Sequence, residues 1–313
     1  MKKYLSYLKD HLNKTYNPIF FIISFITLAV AIGLNYYFDF EDEFIDKGNY
    51  TSEIRMLYYF LLEGAAFLLA CIYLGLFKKN WSWVRNSHFW LVFILAFSIQ
   101  GIDRGFYYQI HLAQYIDPLA KYYVLKLVKL SSWLITTLLP MLVFYYLYDR
   151  KYQQGFYGIQ KNEFRFRPYI IMYLGMIPLI FLASFTDQFL RIYPIYSNNF
   201  GAQFMIYSGW SEVLVKFVFE LFYGFDFVSV ELFFRGLLIF SFVRFFGKDV
   251  VYPMVFTYCV LHFGKPMGET ISSILGGYIL GVIALYSRNI WGGILIHAGI
   301  AVLMDIAAMF QSH

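Results

Sequence analysis

Four side chains able to do acid–base chemistry sit inside the apolar last third of this chain: Glu231, Arg235, His262 and His297. Glu231 and Arg235 are four residues apart in Val230-Glu231-Leu232-Phe233-Phe234-Arg235, so a helix presents both on one face. A charge in hydrocarbon costs roughly 2.5–3.5 kcal/mol by insertion scales unless it is paired or faces water. The pair therefore reads either as a self-neutralising pin between helices or as a carboxylate held ready by Arg235. His262 follows Tyr258-Cys259-Val260-Leu261 and precedes Gly264 and Pro266. His297 ends Trp291-Gly292-Gly293-Ile294-Leu295-Ile296, about 9 Å into a helix that starts near Trp291. A lone intramembrane His is usually a satisfied hydrogen-bond partner. Two of them with a Glu–Arg pair, on three successive segments, fit activation of a water, directly or through a metal. Glu231, His262 and His297 would suffice as part of a first shell for a divalent ion such as zinc.

The elements that must position these groups are apolar helices. Of 313 residues, 60% are hydrophobic, 23% aromatic and 14% charged, and the mean hydropathy is +0.56. A soluble domain carries about a quarter charged residues, so an all-α polytopic membrane bundle is expected. Candidate spans run over about 18–38, 57–77, 87–103, 128–148 and 169–186, with further apolar stretches over 211–246, 251–263, 271–287 and 291–310. These give about eight crossings, with 211–246 read as one interfacial helix followed by one span. Gly277 and Gly281 form a small-xxx-small pattern that lets helices approach closely, and Gly276 stands beside them.

Charge placement sets an expected topology. Lys2, Lys3, Lys9 and Lys14 precede the first span, and an acidic loop with Asp39, Glu41, Asp42, Glu43 and Asp46 follows it. Lys78, Lys79 and Arg85 follow the second span; Arg150, Lys151, Lys161, Arg165 and Arg167 follow the fourth. The alternation places the N-terminus in the cytoplasm, with an uncleaved first span. The net charge of +5 is spread over loops without a basic cluster, so no nucleic-acid partner is expected. Two cysteines, Cys71 and Cys259, allow no disulfide framework. Asp103 and Arg104 read as a helix-end ion pair. Glu212, Lys216 and Glu220 share one charged helix face.

The order of the polar segments resembles the CPBP family, the CAAX-protease and bacteriocin-processing proteins also called Abi. That family carries Glu-Glu-x-x-x-Arg, then Phe-x-x-x-His, then His-x-x-x-Asn or Asp. Here the corresponding residues are Val230-Glu231-x-x-x-Arg235, Tyr258-x-x-x-His262 and His297-x-x-x-Ala301. Phe234 to Leu238 and the Gly-rich helix ending in Tyr286 to Trp291 are similar as well. The resemblance implies an intramembrane endopeptidase in which Glu and His activate a water and the last His and Asn stabilise the oxyanion. It leaves open whether a divalent metal takes part. It implies membrane lipid and a membrane-anchored peptide or protein as partners, a multi-pass place in a bacterial cytoplasmic membrane, and links to bacteriocin self-immunity.

Val230 and Ala301 depart from the pattern, and both remove a polar group. Glu269, seven residues past His262, is a compensating acid if the chain folds back over the cavity; Pro266 and Gly268 favour a solvated loop carboxylate. Asp305, eight past His297, is expected at the interface. On this reading residues 1–210 are a transmembrane scaffold and 211–313 the protease-like core. The first function is an endopeptidase using Glu231 or Glu269 as base, Arg235 to position Glu231, His262 as co-activator and His297 as oxyanion donor. The alternative is a catalytically inactive relative that binds a membrane partner. A transporter ranks last, because no internal two-fold repeat is visible.

Overall fold

The computed structural model describes residues 2–48, 50–160, 166–196 and 198–311. Lys161 and Arg165 of the basic loop lie outside them. The described residues form a helix bundle without strands. An amphipathic helix α1 (Lys2–Thr15) precedes α2 (Pro18–Phe38), α3 (Ser52–Lys78) and α4 (Ser87–Gly105). The helix α5 (Lys121–Ser131) passes through π-helical turns into α6 (Leu139–Phe144). Then come α7 (Phe166–Ala183), two short helices α8 (Asp187–Ile192) and α9 (Asn198–Ser208), and α10 (Glu212–Glu231). A π-helical segment, Leu232–Leu238, joins α10 to α11 (Ile239–Phe246); α12 (Val251–Leu261), α13 (Met267–Ser287) and α14 (Trp291–Gln311) complete the chain.

Among the described residues, seven helices are long and apolar enough to cross a membrane: 18–38, 52–78, 87–115, 121–152, 166–183, 267–287 and 291–311. They leave large apolar side chains such as Phe25 and Leu147 exposed, at 70% and 81%, as lipid contact requires. Residues 212–246 are one unbroken helix, not an interfacial piece followed by a span. Every 18-residue stretch of it holds at least three charged side chains. Some of these charges are paired or face a cavity: Lys216 and Glu212 pair at 2.7 Å, Arg235 and Glu231 at 3.0 Å, and Asp226 lines a polar cavity.

Local chemistry fixes the helix ends. Asn17 caps α2 by accepting from the Phe20 N–H at 3.1 Å, with Pro18 at the first helical position. Asp39 ends α2 in the left-handed region. Pro266 precedes α13 directly, so the Pro266–Gly268 punctuation opens a helix and does not mark a loop. Helix α14 packs against α10 and α7, and α12 against α3 and α13. The segments bearing Glu231, His262 and His297 are thereby drawn together.

The helix α1 docks on α13 through a buried imidazole. His11 is fully buried; its Nε2 donates to the Lys248 carbonyl at 2.9 Å, so its Nδ1 accepts from the Tyr278 hydroxyl at 2.8 Å. Asp10 accepts from Tyr286 at 2.7 Å and pairs with Lys248 at 2.8 Å and Lys14 at 2.7 Å. Burial pushes the His11 imidazole from 6.5 down to about 4, and Lys78 and Lys248 act in the same direction. Protonation also removes the acceptor that Tyr278 needs. Because the folded value lies below the unfolded one, the docking free energy is complete above pH 6.5. It falls by up to about 1.4 kcal/mol per unit as the pH drops towards 4. Hydrogen exchange in α1 is expected to rise over that window, and His11→Gln should flatten the profile.

Candidate functional site

The π-helical widening after Glu231 sits where the sequence places its intramembrane ion pair. Such insertions are frequent at functional sites. Glu231 and Arg235 are both 0% exposed. Arg235 Nη1 lies 3.0 Å from Glu231 Oε1, within ion-pair distance although off the ideal hydrogen-bond direction. The guanidinium also lies 4.0 Å from the centroid of the Tyr258 ring, a cation–π contact strengthened by desolvation. Arg235 is thus held between a carboxylate and an aromatic face.

His297 joins the same carboxylate from α14. Its Nδ1 is 3.1 Å from Glu231 Oε1, and its Nε2 is 3.4 Å from the Tyr258 hydroxyl. An ionised carboxylate only accepts, so Nδ1 carries the proton and Nε2 keeps a lone pair. Phe227 packs on the ring at 4.5 Å between centroids. His262 lies on the other side of Tyr258, with ring centroids 4.5 Å apart. Its Nδ1 is 2.7 Å from the Tyr258 carbonyl, which again fixes the proton on Nδ1 and leaves the lone pair on Nε2. Tyr258 therefore touches Arg235, His262 and His297. Among the described residues, none offers a hydrogen-bond partner to the buried Glu231 Oε2 or to the Arg235 Nε and Nη2 atoms.

Two close approaches make this geometry reachable. A Cβ on Gly293, one turn before His297, would collide with the Glu231 carboxylate. A Cβ on Gly277 would come within 2.8 Å of the Tyr258 ring, and one on Gly281 within 3.3 Å of Val251. The small-xxx-small face of α13 thus supports α12, while Gly276 has nothing within 4 Å. Gly293→Ala is expected to lower stability by about 1–3 kcal/mol through overpacking, with Gly276→Ala near neutral. Thermal midpoints of the two purified variants provide the check.

The remaining sequence expectations divide. Glu269 is in the first turn of α13, not in a solvated loop; its Oε2 accepts from the Tyr193 hydroxyl at 2.9 Å. Lys265 and His297 are near enough to act on it electrostatically. Asp305 is fully buried rather than interfacial, and it accepts from the Ile195 and Tyr196 backbone N–H groups at 2.7 and 3.0 Å. Asp103 and Arg104 do not pair with each other. Arg104 pairs with Glu41 and lies 3.8 Å from Glu63, while Asp103 accepts from Thr136. Ala301 is buried in an apolar cluster with Phe219 and Tyr223. Val230 lines a polar cavity of about 410 Å³ together with Asp226, one turn before it on the same helix face. That spacing from Val230 was the available signal for Asp226.

Glu231, His262 and His297 do not converge as a metal shell. Among the described residues, the only set of three whose ligand atoms lie within 4.8 Å of one another is Glu41, Asp42 and Asp46. The proton on each Nδ1 is committed to an oxygen acceptor, which leaves Nε2 of both rings as the free atom.

The family of type II CAAX prenyl endopeptidase Rce1-like proteins matches residues 210–303. This stretch is similar to that family. The family segment begins at the start of α10 and ends past His297, so it contains Glu231, Arg235, His262, Glu269 and His297 and excludes the first nine helices. The chain is accordingly a multi-pass membrane protein with a segment similar to CAAX prenyl endopeptidases. No curated protein and no solved structure matches it.

Proposed function

We propose that this protein is an intramembrane endopeptidase whose general base is the Glu231–His297 pair, cleaving a membrane-anchored peptide or protein. The observation that carries this reading is the 3.1 Å contact from His297 Nδ1 to Glu231 Oε1. A carboxylate on Nδ1 fixes the tautomer and stabilises the positive charge that forms when Nε2 takes a proton. Arg235 pairs with Glu231 and holds it in place. In the reaction, Nε2 of His297 removes a proton from water and the hydroxide adds to the scissile carbonyl. The carbon–nitrogen bond then breaks as the imidazolium returns its proton to the leaving amine. His262, with its lone pair on Nε2, orients the water by accepting its second hydrogen. Glu231 thus supports the base, while Val230 stands where the family places a carboxylate.

Residues 211–313 supply this chemistry and 1–210 the scaffold, with the N-terminus in the cytoplasm. The test is cleavage of a library of membrane-anchored peptides, prenylated CaaX sequences included, by the purified protein in liposomes. His297→Ala and His262→Ala, inserted at normal levels, should each lose about 10²-fold or more. A second reading, a binding protein without hydrolysis, is supported by the apolar Val230 and Ala301. It predicts no cleavage by the wild type and retained cellular function in both His variants.

A further inference from the structure

The helix ends of the bundle gather into two chemically different faces. At one of them α1 meets the last turn of α3 and the segment between α11 and α12. Asp10 pairs with Lys248 at 2.8 Å, Lys78 pairs with Asp249, and Arg244 pairs with Asp149. Asn80 donates to the Phe245 carbonyl at 3.0 Å. The basic segments 2–14, 78–85 and 150–151 therefore share this end. At the opposite end the acidic turn Phe40–Asp46 meets the ends of α4 and α12. There Glu41 pairs with Arg104, Asn35 donates to the Phe263 carbonyl at 3.1 Å, and Arg104 donates to the Leu261 carbonyl at 2.9 Å.

Packing closes the candidate site towards the basic end. A Cβ on Gly236 would lie 3.0 Å from the Tyr157 carbonyl oxygen, and one on Gly158 would lie 2.6 Å from the Phe240 ring. The Ile290 N–H donates to the Gly158 carbonyl at 3.2 Å. Tyr157 is fully buried, and Tyr169 sits so close to Gly292 that a Cβ there would overlap its ring. Towards the acidic end the protein is hollow. The cavity of about 410 Å³ has the neighbours of the site as its floor: Val230 precedes Glu231, Leu261 precedes His262, and the Phe234 ring lies 5.1 Å from that of Tyr258. Asp42, Asp46 and Tyr107 form its outer wall. Lys265 lines it too, from a turn in which its N–H donates to the His262 carbonyl at 3.0 Å.

Short loops rich in Lys and Arg stay in the cytoplasm. We propose that the site opens to the extracytoplasmic face, between the acidic turn and the turn 262–265, and takes a substrate segment exposed on that side. This adds the side of the membrane to the endopeptidase reading and rests on it. The bond cut then belongs to a peptide or loop presented outside, not to a cytoplasmic tail.

The experiment is thiol labelling of introduced cysteines in sealed right-side-out vesicles. Both native cysteines are buried, so the wild type supplies the background. Glu43→Cys reports on the acidic turn, Ser82→Cys on the basic end and Val230→Cys on the cavity floor; Glu43 and Ser82 are exposed. With a membrane-impermeant cationic methanethiosulfonate added outside, Glu43→Cys and Val230→Cys should react before the vesicles are opened, and Ser82→Cys only afterwards. Labelling of Ser82→Cys in sealed vesicles overturns the proposal. So does a Val230→Cys that reacts only once they are opened, or not at all. Right-side-out vesicles carrying wild-type protein should cleave an anchored peptide offered outside, and inside-out vesicles should not. Cleavage by inside-out vesicles alone overturns the substrate assignment. Cleavage in neither orientation overturns the endopeptidase reading and the substrate assignment with it, whereas the labelling decides the face of the cavity independently of activity.

Discussion

Arg235→Met is expected to destabilise the folded protein by about 3–5 kcal/mol, the range for breaking one half of a buried ion pair. Arg235 and Glu231 are both inaccessible to solvent, so the variant leaves the Glu231 carboxylate buried without its guanidinium partner. The His297 N–H would remain as its only close donor. The loss of the contact between the guanidinium and the Tyr258 ring adds to the cost. The two partners act as a unit, so the double variant Glu231→Leu, Arg235→Met should cost less than Arg235→Met alone. Replacing both ends of a buried pair by apolar groups of similar size is often neutral. A double-mutant cycle on thermal unfolding in detergent reads the difference. Equal or additive losses would mean that the pair is solvated and that its burial carries no energetic weight.

The ion pair and the two His residues were legible because they are local exceptions in apolar surroundings. A four-residue spacing is enough to put Glu231 and Arg235 on one face, and the order of the segments matched a known family. Other groups were not legible, for an identifiable reason. Glu269 looked like a loop carboxylate because Pro266 was read as a break. Proline is well suited to helix starts, and the partner that settles the orientation, Tyr193, is 76 residues away. Asp305 finds its donors in the backbone at Ile195 and Tyr196, which no side-chain pattern announces. The acidic loop after α2 was legible only as a topology marker. Its buried Glu41 depends on Arg104, 63 residues later and read from sequence as the partner of Asp103. The long helix 212–246 looked divided because its charges seemed to need water. The pairing of Glu212 with Lys216 and the cavity beside Asp226 meet that need for those three inside one helix.

Glu231→Gln should lower peptide cleavage by about 10²–10⁴-fold per folded molecule, a size set by losing the correct imidazole tautomer. The amide is nearly isosteric, but Arg235 and His297 share one oxygen, Oε1. With the amide oxygen there, the imidazolium loses its stabilising charge; with the NH₂ there, Nδ1 must accept and the ring proton moves to Nε2, where the lone pair is required. Glu269→Gln tests the competing base. Glu269 is tied to the Tyr193 hydroxyl and only electrostatically linked to His297, so its replacement should cost less than Glu231→Gln. Combining Glu231→Gln with His297→Ala should add little to either alone, because residues that act as a unit are non-additive. Rates are to be normalised to membrane abundance, since Glu231→Gln also leaves Arg235 with less compensation. Full additivity, or a larger loss from Glu269→Gln, would move the base to Glu269 and leave Glu231 as a structural partner of Arg235.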